Sequence, residues 1–385
     1  TNGGSSFQIF GIYTLSNTGG KSVSAYKSDQ ETQSVYGTLE LAYKDILYLT
    51  GSARTDWFST LATPGKDNKL NVVYPSVSGS FVFSELWKPS FLSFGKLRAG
   101  YAMVGQATNP FQTQLYYNLR SESVNGAPLG NIVNGSIPNS SLRASKATEL
   151  EIGTEMRFFG DRLSFDVTWY NKKSTDEILP VPTSTTTGYS GAVLNIGKLR
   201  NKGVEALVSG VVLKSDDFKW TSGVNGSYND NKVITLAPGT ASQLLATSRS
   251  NVGFLQNLEG MAIGQVMAYD FLYDASGNIV KDTNGAPQRG ELKAYGSAYN
   301  KWAAGWNNEF NYKGVNLSFL IDGKWGGKIF SATDYYGYVF GLHQATLENR
   351  DALGVNAANY YSTYANNVSK QFVQDASFIK FRQVI

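Results

Sequence analysis

The 385 residues carry 34 Lys and Arg against 30 Asp and Glu, a net charge of +4, with the basic side chains dispersed along the chain. No Lys/Arg run of the sort that marks a nucleic-acid site occurs, so no nucleic acid is expected, and the lack of cysteine excludes disulfides and thiolate metal sites while permitting an envelope location. No apolar window of roughly 18 residues occurs, so no transmembrane helix is expected; a membrane barrel remains open because its strands are only half apolar. The 40 glycines exceed the usual share of ~7%. With 23 Tyr and 21 Phe they suit strands, turns and interfacial rings rather than helices.

Residues 1–30 are rich in Ser, Gly and Asn and read as a loop. Their opening, Thr1-Asn2-Gly3-Gly4, has no signal peptide, as in a mature product or a fragment. Gln33 to Lys44 is the first strand, with Val35, Leu39, Leu41 and Tyr43 on one face and Tyr36, Thr38, Glu40 and Ala42 on the other. A turn at Lys44-Asp45 leads into Leu47 to Asp56, and Trp57 to Val73 is a long connection. Tyr74 to Glu85 and Lys96 to Gly105 are the next strands, joined by Leu86 to Gly95 and followed by a long loop.

Ala147 to Lys173 sorts most cleanly with a period of two. Leu150, Ile152, Met156 and Phe158 fall opposite Glu149, Glu151, Glu155 and Arg157. Past the Gly160-Asp161 turn, Leu163, Phe165, Val167 and Trp169 oppose Ser164, Asp166, Thr168, Tyr170 and Lys172. Each arm is close to the ~9–11 residues that cross a bilayer at a tilt, and longer than the usual soluble strand.

Ser174 to Gly197 reads as a loop. Leu199 to Leu213 and Phe218 to Asn229 are strands joined by Lys214-Ser215-Asp216-Asp217, and Asp230 to Tyr299 is a very long connection. Trp302 to Tyr312 and Val315 to Trp325 meet at Lys313-Gly314, with Trp302, Ala304, Trp306, Phe310 and Tyr312, then Val315, Leu317, Phe319 and Ile321, facing outward. A loop from Gly326 to Asp375 precedes an eleventh strand, Ser377 to Ile385.

Connections alternate short and long. That is the asymmetry of short periplasmic turns and long extracellular loops, whereas a soluble antiparallel sheet shares only the two-faced pattern. The expected fold class is all-β, a transmembrane antiparallel β-barrel fragment. Single-chain bacterial barrels close with an even strand number, so eleven strands with an unpartnered last one imply part of a larger barrel.

Seven phrases resemble the SusC/RagA-like TonB-dependent outer-membrane transporters of Bacteroidota. They are YPSVSGSFVFSE (Tyr74 to Glu85), LSFGKLRAGYAMVG (Leu92 to Gly105), the hairpin from Thr148 to Leu179, NIGKLRNKGVEALVSG (Asn195 to Gly210), FKWTSGVNGSYNDNKV (Phe218 to Val233), EGMAIGQVMAYDF (Glu259 to Phe271) and DASFIKFRQV (Asp375 to Val384). The resemblance implies about 22 strands around a plugged lumen, of which this chain supplies about 11. Residues 1–30 would be an extracellular loop and 31–385 barrel, with the plug, TonB box and amino-terminal domains outside the chain. It further implies a SusD-like surface lipoprotein lid and opening driven by the TonB complex. Between Tyr273 and Tyr299 the acidic stretch usual in the family is thinner, so no loop-bound metal is expected.

Among candidate chemistries, the aromatic loop Asp334 to Phe340 is the best ligand site. Tyr335, Tyr336, Tyr338 and Phe340 offer flat rings for sugar faces or peptide side chains, with loop self-packing or a lid contact as the alternatives. Glu149, Glu151, Glu155, Arg157 and Asp166 are expected to face the lumen, more as a solvated salt-bridge network than as a substrate path. Trp57, Trp169, Trp302, Trp306 and Trp325 suit interfacial girdles. The sole histidine, His343, reads as a surface residue, and Asp274 to Asn278 and Asp282 to Gly285 as Asp/Asn-Gly turns that lack calcium-loop spacing. No nucleophile elbow, phosphate loop or paired-carboxylate signature marks an enzyme, and no cofactor is expected.

The first functional expectation is therefore import of glycans or oligopeptides across the outer membrane, in contact with membrane lipid and a lipoprotein lid. The alternative is a structural or accessory barrel subunit of a larger assembly for protein insertion or export. A soluble β-rich adhesin or lectin is a third reading.

Overall fold

A computed structural model of the chain describes residues 2–4, 14, 17, 21–23 and 28–385, apart from 67–69, 133–134, 190, 238 and 349. Eleven antiparallel strands form one sheet in sequence order: β1 (Thr32–Tyr43), β2 (Leu47–Phe58), β3 (Asn71–Phe81), β4 (Leu92–Gln106), β5 (Ser145–Phe158), β6 (Leu163–Pro182), β7 (Gly191–Lys214), β8 (Phe218–Thr235), β9 (Trp302–Tyr312), β10 (Val315–Trp325) and β11 (Phe378–Val384). A two-residue strand, Ser136–Ile137, adds to β7 alongside. β1 and β11 are open edges, so the sheet does not close on itself. Most of the expected loop 1–30 lies outside the described residues; within it, Asn2–Gly4 pairs with Lys21–Val23.

Short turns close one end. Lys44 and Asp45 have φ of 50° and 58°, and Lys313 and Gly314 have 50° and 87°, the left-handed conformation that two-residue hairpin turns require. Cross-strand registers run unbroken through the middle of the sheet. One row on the apolar face reads Met156, Phe165, Val208, Val224, Trp306, Ile321 and Phe381 across seven strands. The row directly behind it reads Lys96, Glu155, Asp166, Leu207, Asn225, Gly305, Asp322 and Lys380.

Apolar residues on the first face are left uncovered: Leu39 is 62% exposed, Ile152 52% and Phe381 64%. In water such a face would demand a partner layer. The buried apolar residues instead gather mainly in the connections at the long-loop end. One cluster joins Phe58, Leu61, Tyr74, Leu142, Ala144 and Val193, and another joins Val252, Tyr335, Ala365 and Phe372. Aromatic rings bracket the bare face. Trp169, Tyr228, Trp302 and Trp325 share a row toward the long loops, and Trp220 stacks on Phe310 near the short turns. Trp302 to Tyr312 is ten steps of ~3.3 Å, roughly 25 Å of height at a 40° tilt, matching the ~25 Å apolar band of an outer-membrane barrel.

Three expectations are corrected. Phe83–Glu85 is a 3₁₀ turn rather than the end of the third strand, and β4 begins at Leu92 rather than Lys96. Ser174 to Gly197 is largely strand: β6 and β7 continue as a ribbon through Ile178↔Asn195 and Pro182↔Gly191, past a bulge at Ser174–Glu177. Alternation fades there because neither face of a ribbon projecting beyond the bilayer need be apolar, while the backbone pairing persists. The connections 230–299 and 326–375 are also structured. They contain a four-stranded sheet (Ser242–Thr247, Gly253–Leu258, Gln265–Phe271, Arg289–Ser297), a strand pair (Lys328–Phe330 with Val373–Asp375) and helices α1 (Ala332–Val339), α2 (Arg350–Leu353) and α3 (Ala357–Asn367).

Neighbouring residues on β5 test the assignment of faces. Ile152→Lys should destabilise the folded full-length protein in lipid by about 2–4 kcal/mol, whereas Glu151→Lys, one residue along and facing the other way, should cost under about 1 kcal/mol. Urea unfolding in vesicles reads both.

Candidate functional site

The polar face carries a charge network that spans strands by lying across glycines. Arg98 on β4 reaches over Gly153 on β5 to β6, where its Nη1 and Nη2 donate to Asp166 at 2.9 and 2.5 Å and Nη2 donates to Thr168 at 2.5 Å. A β-carbon at 153 would stand 2.8 Å from Arg98 Nε, so the crossing needs a glycine there. Tyr170 repeats the device. Its hydroxyl crosses Gly203 on β7 and donates to Asn229 on β8 at 3.0 Å. Glu155, directly opposite Asp166, is held by Lys96 at 2.7 Å and Arg157 at 2.8 Å, while Glu149 meets Lys172 at 3.7 Å. Like charges opposite each other are destabilising, so the basic partners are what make the Glu155–Asp166 juxtaposition tolerable.

Of the five charged residues singled out in the sequence, Glu149, Glu155, Arg157 and Asp166 thus join ion pairs on one face, and Glu151 shares that face, opposite Tyr170. Beside them lies a concavity of about 630 Å³, lined among others by Arg98, Asp166, Thr168, Glu205, Asn225 and Asp322. Arg98, Asn225 and Asp322 were not singled out from sequence. The row register supplies the signal: each shares a parity with Glu155 or Asp166, which becomes evident once strand pairing is known.

The second feature is the cap built from the two long connections. Tyr335 is buried, its ring edge-on to Phe372 at 5.6 Å and its hydroxyl donating to Asn366 at 2.8 Å. Tyr338 packs against His343, Tyr364 and Phe372. Tyr336 stacks on Phe340, which is 67% exposed. Of the four aromatics, Tyr335 is buried, Tyr336 and Tyr338 are half-buried against the same cluster, and Phe340 is the exposed one. His343 is half-buried rather than a plain surface residue: it caps a short 3₁₀ turn, its Nδ1 accepting from the Ala345 amide at 3.2 Å.

Ser369, fully buried, ties 252 to 269 by donating to the Val252 carbonyl at 2.6 Å and accepting from the Tyr269 amide at 2.9 Å. Asp270 sits between Lys370 at 2.6 Å and Lys293 at 3.1 Å. Burial raises its carboxyl, but hydrogen bonds from Lys370, the Phe271 amide and Lys293 outweigh this and hold it below the ordinary carboxylate range. Burial lowers Lys370, and the same pairing outweighs that and raises it.

Asp274 and Asp282 spend their carboxylates on local backbone amides, of Ser276 and Asn278 and of Asn284 and Ala286. Among the described residues no group of three or more His, Cys, Asp or Glu side chains is arranged to hold a metal ion.

A strand-ordered antiparallel sheet with a bare apolar face, a charged opposite face, short turns at one end and a folded cap at the other defines an outer-membrane β-barrel. The family described as TonB dependent receptor-like, β-barrel matches residues 1–295, and the chain belongs to it. Among curated relatives it is 26% identical to TonB-dependent receptor P3 of Formosa agariphila, covering 80% of this chain and 33% of that protein. It is 23% identical to TonB-dependent receptor SusC of Bacteroides thetaiotaomicron, covering 92% of this chain and 37% of that one. The chain thus spans about a third of the length of the curated relatives it matches. The RagAB peptide importer in its closed-closed state superposes with a TM-score of 0.74 at 17% identity, over 92% of this chain and 40% of that one. Family membership places the protein in the bacterial outer membrane.

Two consequences are measurable. Arg98→Met should cost about 1 kcal/mol, the modest worth of a half-exposed ion pair, and Gly153→Val at least as much because it evicts the guanidinium. A double-mutant cycle with Asp166→Asn should then show coupling for Arg98 that Gly153→Val abolishes. In the cap, a depressed carboxyl contributes stability that is complete above about pH 4 and lost as the pH falls through its lowered value. Asp270→Asn should therefore speed proteolysis of the cap at neutral pH, with the difference from the parent protein shrinking in acid.

Proposed function

We propose that the protein is an energised outer-membrane importer of SusC type, taking up glycans or oligopeptides beneath a SusD-like lipoprotein and drawing its opening force from the TonB complex. The observation that carries the reading is the chemistry of the face bearing the 630 Å³ concavity. It presents cations, carboxylates and asparagine amides side by side, and suits a hydrated, hydrogen-bonding polymer better than a greasy or singly charged solute. The structural neighbour RagAB, described as a peptide importer, is a likeness of fold and leaves the choice between peptide and sugar to experiment.

In this reading the polar face lines the lumen, the open edges β1 and β11 pair with further strands, and Tyr336 and Phe340 meet cargo or lid. Unpaired strand edges leave backbone groups unsatisfied in hydrocarbon, which is why such a sheet must be completed.

Uptake of labelled oligosaccharides and oligopeptides by cells carrying the full-length receptor tests the proposal. Uptake should require both the TonB complex and the neighbouring lipoprotein. Phe340→Ala should lower uptake with the amount of folded receptor unchanged, whereas Tyr335→Ala should lower that amount by disrupting the cap. Deletion that leaves uptake of both polymers intact while depleting other proteins from the outer membrane would favour an accessory subunit instead.

A further inference from the structure

Toward the long loops the apolar face ends in a compact patch of cations. Beyond the tryptophan row Ile152–Trp169–Val204–Tyr228–Trp302, the next row on the same face is Leu150–Asn171–Lys202–Asp230, and the next is Thr148–Lys173–Arg200–Lys232. Lys146, two residues further along β5, shares the parity. No register shift intervenes between these rows, so the pleat turns all five cations to the side on which Trp169 stands.

Lys173, Arg200 and Lys232 are successive direct cross-strand neighbours. Side chains so placed have β-carbons about 4.5–5.5 Å apart, and like charges there are destabilising. The single carboxylate on these rows is Asp230, which meets Arg200 at 3.4 Å and Lys202 at 3.8 Å. Five cations less one carboxylate leave +4 on the patch. Lys173 and Lys232 have no carboxylate partner among the described residues, and Arg200 Nε has no hydrogen-bond acceptor. The rows lie roughly 5 and 10 Å above the tryptophans along the membrane normal, allowing ~3.3 Å per residue and a 40° tilt. That is headgroup depth, just outside the ~30 Å hydrocarbon core.

We propose that this patch binds the phosphate groups of an anionic outer-leaflet glycolipid, which neutralise the Lys173–Arg200–Lys232 row. The long-loop end of such barrels is extracellular, which selects the outer leaflet, and Arg and Lys together form charge-assisted hydrogen bonds to phosphate oxygens. The site rests on the barrel's place in the membrane and is independent of the cargo.

The test uses delipidated full-length receptor in vesicles of zwitterionic lipid doped with a diphosphorylated lipid A-type glycolipid or with its dephosphorylated form, bound lipid being counted by native mass spectrometry. The receptor should prefer the phosphorylated form by about tenfold or more, and Lys173→Gln with Lys232→Gln should erase most of that preference while leaving the folded, heat-modifiable band intact. Should the double variant fold poorly, Lys173→Gln alone should still reduce the preference severalfold. Equal binding of the two lipids, or a preference unmoved by either variant, overturns the proposal. So does loss of the preference in millimolar inorganic phosphate, which would mark a site for soluble anions.

Discussion

The architecture depends on one constraint: inside lipid every backbone amide and carbonyl must find a partner within the protein. Through the middle of the sheet the ladders from β4 to β10 meet it strand against strand, their register shifts falling toward the strand ends, and this frees each face of the sheet to follow its own solvent. Val224 and Asn225 are adjacent in the chain yet belong to different environments, one beside Trp306 and the other opposite Gly305. Side chains in the strands therefore contribute less to a packed core than to a boundary. The packed clusters form at the long-loop end, around Leu61 and around Phe372.

That division of labour explains how the polar face stays ordered without burial. Exposed ion pairs are individually weak. Here they gain from rigidity, because Arg98 and Tyr170 lie flat across Gly153 and Gly203 and bind strands that are not direct neighbours. The network leaves a charged floor beneath a cap whose own integrity comes from ring packing, Ser369 and the Asp270–Lys370 pair. The charged network and the bare apolar surface thus occupy different faces of the same strands.

Much of this was legible in the sequence wherever the period of two is strict. The eleven strands, the tight turns and the assignment of Glu155 and Ile152 to opposite faces follow from alternation alone. What escaped lies beyond the bilayer. The ribbon of β6 and β7 past Ser174 packs Val193 into the first buried cluster, and the cap sheet is buried on both faces along Gln265–Ala268, so neither divides lipid from water and neither need alternate; Thr, Ser and Gly there resemble loop. Tyr335 and Phe340 are five residues apart in one aromatic run, yet one is buried and the other exposed, because a helical turn rotates them to different sides. The basic patch was hidden for another reason. Lys173, Arg200 and Lys232 are far apart in sequence, and only the register makes them neighbours.

The central claim, that alternate residues of each strand face lipid and water, is most directly tested by single-cysteine labelling along β6, with any cysteine elsewhere in the receptor replaced by serine. With the full-length receptor in vesicles, cysteines at Phe165, Val167 and Trp169 should react with a lipid-soluble probe and resist a charged maleimide. Cysteines at Ser164, Asp166 and Thr168 should do the reverse. Uniform reactivity toward the charged reagent along the strand would contradict the account.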